Sequence, residues 1–334
     1  MRFFRGSHKA ESAGGYGVTK VLICPVDYEH RCEEGAAMLR AHGYDLRFNP
    51  RQRGYLPNEL YPDIADVEAV VADNEPWDEA SFRAAPKLRV IAKIGVGMNN
   101  FDLEAARRHK VVVANCAGIN ANTVAEHTVA LLLAIVRALP QLNAGCRRGK
   151  WTRGIFHELT GKTAGIVGFG AIGRKVAEKL AAFELRLIAT DINPNHKEAN
   201  RIGVQLVESD TLWRESDYVL LHAPYLMETH HLINDTTLSK MKDGAYLINT
   251  ARGPLVNEAA AARALASGKL AGMASDVFEV EPPPANNPLF ACENYICTPH
   301  SAGDAVENMQ ANGRATAAII LDYFAGLEPK NRQA

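Results

Sequence analysis

From residue 20 onward the chain alternates short apolar runs with stretches of helical periodicity. Residues 20–25, 44–48, 67–72, 88–94 and 110–114 have the length and apolar content of strands. Helices fit between them at 32–41, with Ala36 and Leu39 on the apolar side and a stop at His42-Gly43, and at 78–84 and 103–109. The alternation resumes with strands predicted at 164–167, 187–191, 205–207, 217–222, 244–249, 270–276 and 295–298. Helices are expected through Val176 and Leu180, ending at 201–203, at 212–216, around 238–241, at 258–267 and at 304–324, the last with Ala317, Ile320 and Leu321 as its apolar face. Strands that alternate with helices imply parallel, doubly wound sheets. Two such series imply two α/β domains.

The helix predicted over 122–138 joins the two series. Thr123 or Asn122 stands at its expected cap, with Glu126 completing a capping box with Thr123. Residues 129–136 are apolar all round, which predicts a buried helix, either between domains or in a subunit interface. An amphipathic basic stretch, 141–151, follows with Arg147, Arg148 and Lys150.

The second series opens on a glycine turn. Gly168, Gly170 and Gly173 follow the apolar run 164–167 with the spacing G-x-G-x-x-G, and Ala171 and Ile172 begin the helix. The first glycine suits a sharp turn, the second the approach of a pyrophosphate, and the third close packing of helix on strand. The helix N-terminus then points N–H groups at the phosphates. Asp191 ends the next predicted strand, where a carboxylate accepts from a ribose 2′-hydroxyl and repels a 2′-phosphate. Strand, helix and acid together predict a dinucleotide site, with NAD favoured over NADP.

Composition narrows the partners. A formal net charge of -1 over 334 residues gives no surface for nucleic acid or membrane, and the longest apolar run, 129–136, is too short to span a bilayer. The start lacks an apolar signal core, and residues 1–17 read as a flexible leader. Six cysteines without a CxxC pair read mostly as reduced core residues of a cytoplasmic protein, a catalytic thiol at Cys116 being the alternative. No metal site is expected. The polar residues Asn120, Arg252, Asp276, Glu281 and His300 fall in loops after strands, where open α/β sheets bind ligands.

Several segments carry a resemblance. Gly95-Val-Gly-Met-Asn-Asn-Phe-Asp102, Asn122-Thr-Val-Ala-Glu-His127, the glycine turn, Ser216-Asp-Tyr-Val-Leu-Leu-His-Ala-Pro224, Ile248-Asn-Thr-Ala-Arg-Gly253, Ser275-Asp-Val-Phe-Glu-Val-Glu-Pro282 and Thr298-Pro-His300 occur in this order. In these the chain resembles the D-isomer-specific 2-hydroxyacid dehydrogenases, the group of phosphoglycerate, glycerate (hydroxypyruvate), D-lactate and formate dehydrogenases. The resemblance implies a Rossmann NAD-binding domain, 122–303, inserted into a flavodoxin-like substrate domain, 18–121 with 304–334. It implies an active site in a cleft that closes about hinges near Ala121 and Gly303. A two-fold homodimer would form through the apolar helix and the arm at 141–160.

Arg252, Glu281 and His300 match the family's catalytic arginine, glutamate and histidine. The acid stands directly before the proline, as Glu281 does, which separates it from Glu279. The chemistry needs these types. A planar guanidinium pairs with carboxylate and carbonyl oxygens of a 2-oxo acid, a protonated imidazole donates to the developing alkoxide, and a carboxylate beside that imidazole raises its pKa. The resemblance further places Asn120 and the backbone of Val96 and Gly97 at the substrate. Thr123, Thr250, Ala251 and Asp276 fall at the nicotinamide end, the alternative for Asp276 being a strand-end cap. His222, Ala223 and Pro224 fall along the adenosine side and Thr229 near the phosphates.

Lys93 and Arg153, the latter from a neighbouring subunit, resemble phosphate-binding residues of some phosphoglycerate dehydrogenases, although Lys meets phosphate only as a point charge. The expected reaction is interconversion of a D-2-hydroxy acid and a 2-oxo acid, with 3-phosphoglycerate/3-phosphohydroxypyruvate or glycerate/hydroxypyruvate (glyoxylate) as substrates. Control by a bound amino acid is not expected, since no regulatory domain follows Phe324. The competing reading is a non-catalytic NAD(H)-sensing protein of the corepressor type.

Overall fold

The computed structural model describes residues 18–51, 53–56, 58–151 and 153–334; the expected leader, 1–17, lies outside them. Packing divides the chain into two compact units, residues up to 117 with 309–334, and 118–308.

The first unit is built on β1 (Lys20–Ile23), β2 (Asp45–Phe48), β3 (Ala69–Ala72), β4 (Val90–Lys93) and β5 (Val112–Asn115). All pair in parallel, in the order β2-β1-β3-β4-β5. β3 and β4 are buried at every position, which is why they read as unbroken apolar runs, whereas edge strand β2 is partly open. Asp78 and Asp102 cap the short helices that follow, each accepting from the N–H three residues on. Trp77, Phe82, Leu60 and Ile64 fill the core. In the last helix, Val306–Phe324, Ala317 and Ile320 are buried as expected, but Ile319 is buried beside them and Leu321 is only half-buried.

The second unit carries β6 (Thr163–Val167), β7 (Arg186–Thr190), β8 (Gln205–Leu206), β9 (Tyr218–Leu221), β10 (Ala245–Asn249), β11 (Leu270–Ser275) and β12 (Tyr295–Cys297). The order is β8-β7-β6-β9-β10-β11-β12, all parallel. Alternate residues enter two apolar layers. Ile166, Leu220, Ile248 and Ala274 join one, Val167, Val219, Leu247 and Met273 the other. The order reverses between β6 and β9, the switch point at which such sheets bind ligands. Both units are therefore doubly wound parallel sheets, as predicted.

One local expectation is corrected. The joining helix spans Ala121–Val136 with Asn120 at its cap, so Thr123 is already helical and forms no capping box. Glu126 instead accepts from Asn122 Nδ2 at 2.9 Å and Lys179 Nζ at 3.2 Å. Within the single chain, Ala130 of that helix is exposed and Val129 and Leu133 are half-buried. The basic stretch is helical only over Leu139–Arg147, after Ala138 at a φ of 47°, and none of that helix is buried. Of the cysteines, Cys24, Cys32 and Cys116 are buried, Cys292 is half-buried, and Cys146 and Cys297 are exposed. Burial pushes the Cys116 thiol up to about 12, which removes it as a nucleophile near neutral pH. Among the described residues no single helix is long and apolar enough to cross a membrane.

Candidate active site

At the end of β6 the chain turns sharply at Gly168, whose φ of 92° suits glycine. A Cβ there would lie 2.6 Å from the His222 carbonyl group. The helix Ala171–Leu180 starts at Gly170 with no side chain capping its first N–H groups, and a Cβ at Gly170 would meet nothing within 4 Å. Uncapped donors beside open space suit an anionic ligand such as a pyrophosphate. Gly173 packs so tightly that a Cβ would lie 2.1 Å from the Gly168 oxygen.

Asp191 follows β7 directly. Its Oδ2 accepts from Phe169 N–H at 2.6 Å and its Oδ1 from Asn193 N–H at 2.8 Å. This fixes an anion at the end of the glycine turn while leaving lone pairs for ribose hydroxyls, so the residues present fit NAD. Asp191→Arg is expected to move the ratio of kcat/KM for NADH over NADPH at least about tenfold toward NADPH, measured by initial rates; an unchanged ratio would detach Asp191 from cofactor choice.

His222, Ala223 and Pro224 continue from β9, and His222 N–H donates to Val167 O at 2.7 Å. Burial lowers the His222 pKa to about 3, so its ring is neutral. The Thr229 hydroxyl is engaged in its own turn, accepting from Leu226 N–H at 2.7 Å and donating to Pro224 O at 2.9 Å. Thr250 is buried with its hydroxyl 2.8 Å from that of Thr128. Thr123 is half-buried in the first turn of its helix, and Ala251 is half-buried after β10.

β10 delivers Arg252. Asn249 clamps the loop, its Nδ2 donating to Arg252 O at 2.9 Å and its Oδ1 accepting from Ala251 N–H at 3.0 Å. A Cβ on Gly253 would lie 1.8 Å from Phe278 O, so only glycine lets this loop pass against the segment that carries Glu281. The half-buried Arg252 guanidinium donates to Ala251 O at 2.7 Å. Burial lowers its pKa and the Glu281 charge opposes that.

Glu281 Oε1 accepts from Phe278 N–H at 2.9 Å, and Oε2 lies 2.6 Å from His300 Nδ1. Burial alone would raise the Glu281 pKa, but the bonds from His300 and Phe278 and the nearby cations bring it below the usual value. The His300 pKa is raised, first by its bond to Glu281 and further by that charge, against the pull of burial and Arg252. The imidazolium is therefore favoured, and with Nδ1 committed, Nε2–H is the free donor. Glu279, the nearby rival, is engaged with Glu258: its Oε1 accepts from Glu258 N–H at 2.7 Å and its own N–H donates to Glu258 Oε1 at 2.9 Å.

His300 has a φ of 52°, unusual for a residue with a side chain. Asp276 holds it there. Its backbone oxygen accepts from His300 N–H at 2.8 Å, and its carboxylate accepts from Ser301 N–H and Ala302 N–H, both at 2.9 Å, and from the Thr298 hydroxyl. The Asp276 side chain is 1 % exposed and caps this segment through those bonds. His127 Nε2 sits 3.0 Å from Thr298 Oγ1 and completes the support. Asn249, Thr298 and His127 were not singled out from sequence, their only signal being their place inside the matching segments, and Thr128 stands one residue past such a segment.

Asn120 has a buried Oδ1 with no partner, a polar atom of the kind a ligand satisfies. Val96 is exposed in the loop after β4, and its carbonyl accepts from Asn115 Nδ2 at 2.9 Å, with Gly97 half-buried beside it. Lys93 ends β4. It is buried, its Nζ donates to Ile94 O at 2.7 Å and lies 3.7 Å from Asp73 Oδ1, and burial lowers its pKa. Arg153 is exposed and shares a groove with Arg137, Leu139 and Trp151, not with Arg252, Glu281 or His300.

The sequence model of a family described as "D-isomer specific 2-hydroxyacid dehydrogenase, NAD binding domain" matches residues 129–302. A D-3-phosphoglycerate dehydrogenase of Archaeoglobus fulgidus is 38% identical over 315 residues, 93% of this chain and 58% of that protein. A glyoxylate reductase of Thermofilum pendens is 37% identical over 279 residues, 82% of this chain and 82% of that protein. The chain thus spans a little over half the length of the phosphoglycerate dehydrogenase. Among solved structures, D-lactate dehydrogenase from Escherichia coli superposes with a TM-score of 0.83 at 27% identity, over 95% of this chain and 100% of that one. D-lactate dehydrogenase from Aquifex aeolicus, complexed with NAD and lactic acid, gives 0.81 at 26% identity, over 92% and 96%.

Proposed function

The chain belongs to the D-isomer specific 2-hydroxyacid dehydrogenase family, and from that premise we propose that it is an NAD-dependent enzyme interconverting a D-2-hydroxy acid and a 2-oxo acid. The unit of residues 118–308 acts as the nucleotide domain, and residues up to 117 with 309–334 as the substrate domain. Substrates are glycerate/hydroxypyruvate (glyoxylate) or 3-phosphoglycerate/3-phosphohydroxypyruvate. The glycine turn and Asp191 would hold NADH, which when bound would supply the hydride. Arg252 pairs with the substrate carboxylate and carbonyl oxygens. His300 donates its Nε2 proton as the carbonyl oxygen gains charge, and takes a proton back in the oxidation direction. Glu281 holds the ring by Nδ1 and favours its acid form. Asn120 completes its unpartnered amide on the substrate.

The observation that carries this reading is the 2.6 Å pairing of Glu281 with His300 beside the Arg252 guanidinium. A protein that only senses NAD(H) has no use for a tuned acid, and nothing in the site favours that alternative. The acid form of His300 is complete below its raised pKa and is lost as pH rises through it. Removing the anion lowers that pKa. Glu281→Gln is therefore expected to move the alkaline limb of the pH–rate profile for oxo-acid reduction to lower pH; an unmoved limb takes Glu281 out of this role.

A homodimer is part of the proposal. Trp151 at 87 % exposure, with Ile155 also exposed, gives the arm at 141–160 an apolar surface for a second copy. The six free cysteines suit the cytoplasm, where thiols stay reduced. Small-molecule acids are the partners; nucleic acid and membrane are not.

A further inference from the structure

Within the second unit the helix Ala121–Val136 lies against the strands that lead into the catalytic loops. Its Ala125, Leu132 and Ile135 share one apolar layer with Ile248 of β10 and Ala274 of β11, and Ile296 of β12 packs against it. A Cβ on Gly272 of β11 would lie 2.8 Å from Ile135 Cγ1, so helix and sheet are in close register. Two neighbouring residues of this helix each meet one threonine beyond a strand end. Thr128 reaches Thr250, two positions before Arg252, with the hydroxyl oxygens 2.8 Å apart. His127 reaches Thr298, two positions before His300, with Nε2 3.0 Å from Oγ1. Thr250-Ala-Arg252 and Thr298-Pro-His300 are thus tied at the same offset to adjacent residues of one helix.

Proton counting gives each bond a direction. The Thr128 hydroxyl has one proton and donates it to Val124 O at 2.8 Å, so it accepts from Thr250. The Thr298 hydroxyl donates to Asp276 Oδ1 at 2.5 Å, so it accepts from His127, whose Nε2 then carries a proton. Asp276 in turn accepts from Ser301 and Ala302 N–H through its carboxylate and from His300 N–H through its backbone oxygen. One chain of bonds therefore runs from His127 through Thr298 and Asp276 to the backbone of His300. The other runs from Thr128 to the loop on which Asn249 fixes Arg252. Thr128 and Asp276 are buried, so a partner lost there is not replaced by solvent.

We infer that His127 and Thr128 are positioning residues that set the Arg252 loop against the His300 turn, each acting through its own threonine. The inference rests on the proposed oxidoreductase activity. The two arms carry different kinetic signatures. Arg252 grips the oxo acid in the ground state as well as in the transition state, so slack in its loop weakens binding and raises KM. His300 gives up its proton only as the carbonyl oxygen gains charge, so slack in its turn lowers kcat and kcat/KM together.

The test measures initial rates of NADH oxidation with glyoxylate, hydroxypyruvate and 3-phosphohydroxypyruvate for the wild type, Thr128→Val, Thr128→Ser, His127→Ala and His127→Gln. Melting temperature and NADH binding by fluorescence titration are read on each. Thr128→Val keeps the shape and removes the hydroxyl; it is expected to raise KM for the oxo acid about tenfold with kcat within about threefold. His127→Ala is expected to lower kcat about tenfold with KM within about threefold. Thr128→Ser restores a hydroxyl and His127→Gln an N–H donor, and both are expected to stay within about threefold of wild type in kcat and KM. NADH affinity is expected to stay within about threefold throughout. Thr128→Val and His127→Ala both within about twofold of wild type would overturn the inference and leave the activity standing. So would a loss that only follows the fraction of protein still binding NADH, or one that the conservative variants do not relieve. A wild type that binds NADH but turns over none of the acids overturns the activity itself, and the inference with it.

Discussion

His300→Ala is expected to lower the rate of oxo-acid reduction by roughly 10²–10⁴-fold, the usual contribution of a positioned general acid. The expectation follows from how fully the ring is prepared. Its backbone N–H is held by Asp276 O, its Nδ1 by Glu281, and its pKa is raised by that carboxylate. Alanine removes the only one of the catalytic three with a proton to give near neutral pH, because Arg252 retains its own and Glu281 is ionised. The fold should tolerate the change, since the His300 side chain is half exposed and the Asp276 bonds that hold this segment run to backbone N–H groups. NADH affinity, read by fluorescence titration, is expected to stay within about threefold, because the glycine turn and Asp191 are untouched. Near wild-type turnover would remove His300 from the chemistry.

Arg252→Lys is expected to cost on the order of a hundredfold in kcat/KM for the oxo acid, again with NADH affinity preserved. Charge survives this substitution and geometry does not. The guanidinium already gives one N–H to Ala251 O and keeps further donors in a fixed plane for two substrate oxygens. An ammonium has no such fork. In this half-buried position, where desolvation already lowers the pKa of the guanidinium, a lysine would also lose its proton more readily than in water. Steady-state kinetics check this, and a variant within about threefold of wild type would mean that Arg252 serves only as a charge.

Much of this was legible in the sequence because it is local. β3 and β4 are buried on both faces and so read as apolar runs. The glycine turn announces itself by spacing, and its first glycine meets both a positive φ and the His222 backbone. Glu281 was separable from Glu279 by the proline after it, and the structure gives Glu279 a different occupation, with Glu258. What was not legible depends on partners distant in sequence. A lysine at the end of a strand reads the same whatever its ammonium meets; Lys93 Nζ donates to Ile94 O at 2.7 Å and lies 3.7 Å from Asp73 Oδ1. The support behind His300 joins His127 to Thr298 across 171 positions, which no periodicity reveals. The capping box failed for a smaller reason. The helix begins at Ala121 with Asn120 at its cap, so Thr123 is already inside it, and Glu126 then has Asn122 and Lys179 within reach.

The most direct measurement is NADH oxidation followed by absorbance, with glyoxylate, hydroxypyruvate, 3-phosphohydroxypyruvate and 2-oxoglutarate offered in turn, NADPH as the cofactor control, and His300→Ala as the protein control. Turnover of at least one 2-oxo acid with NADH preferred, and its loss in the variant, is the expected result. Tight NADH binding with no turnover of any acid would contradict it and leave a binding protein in place of an enzyme.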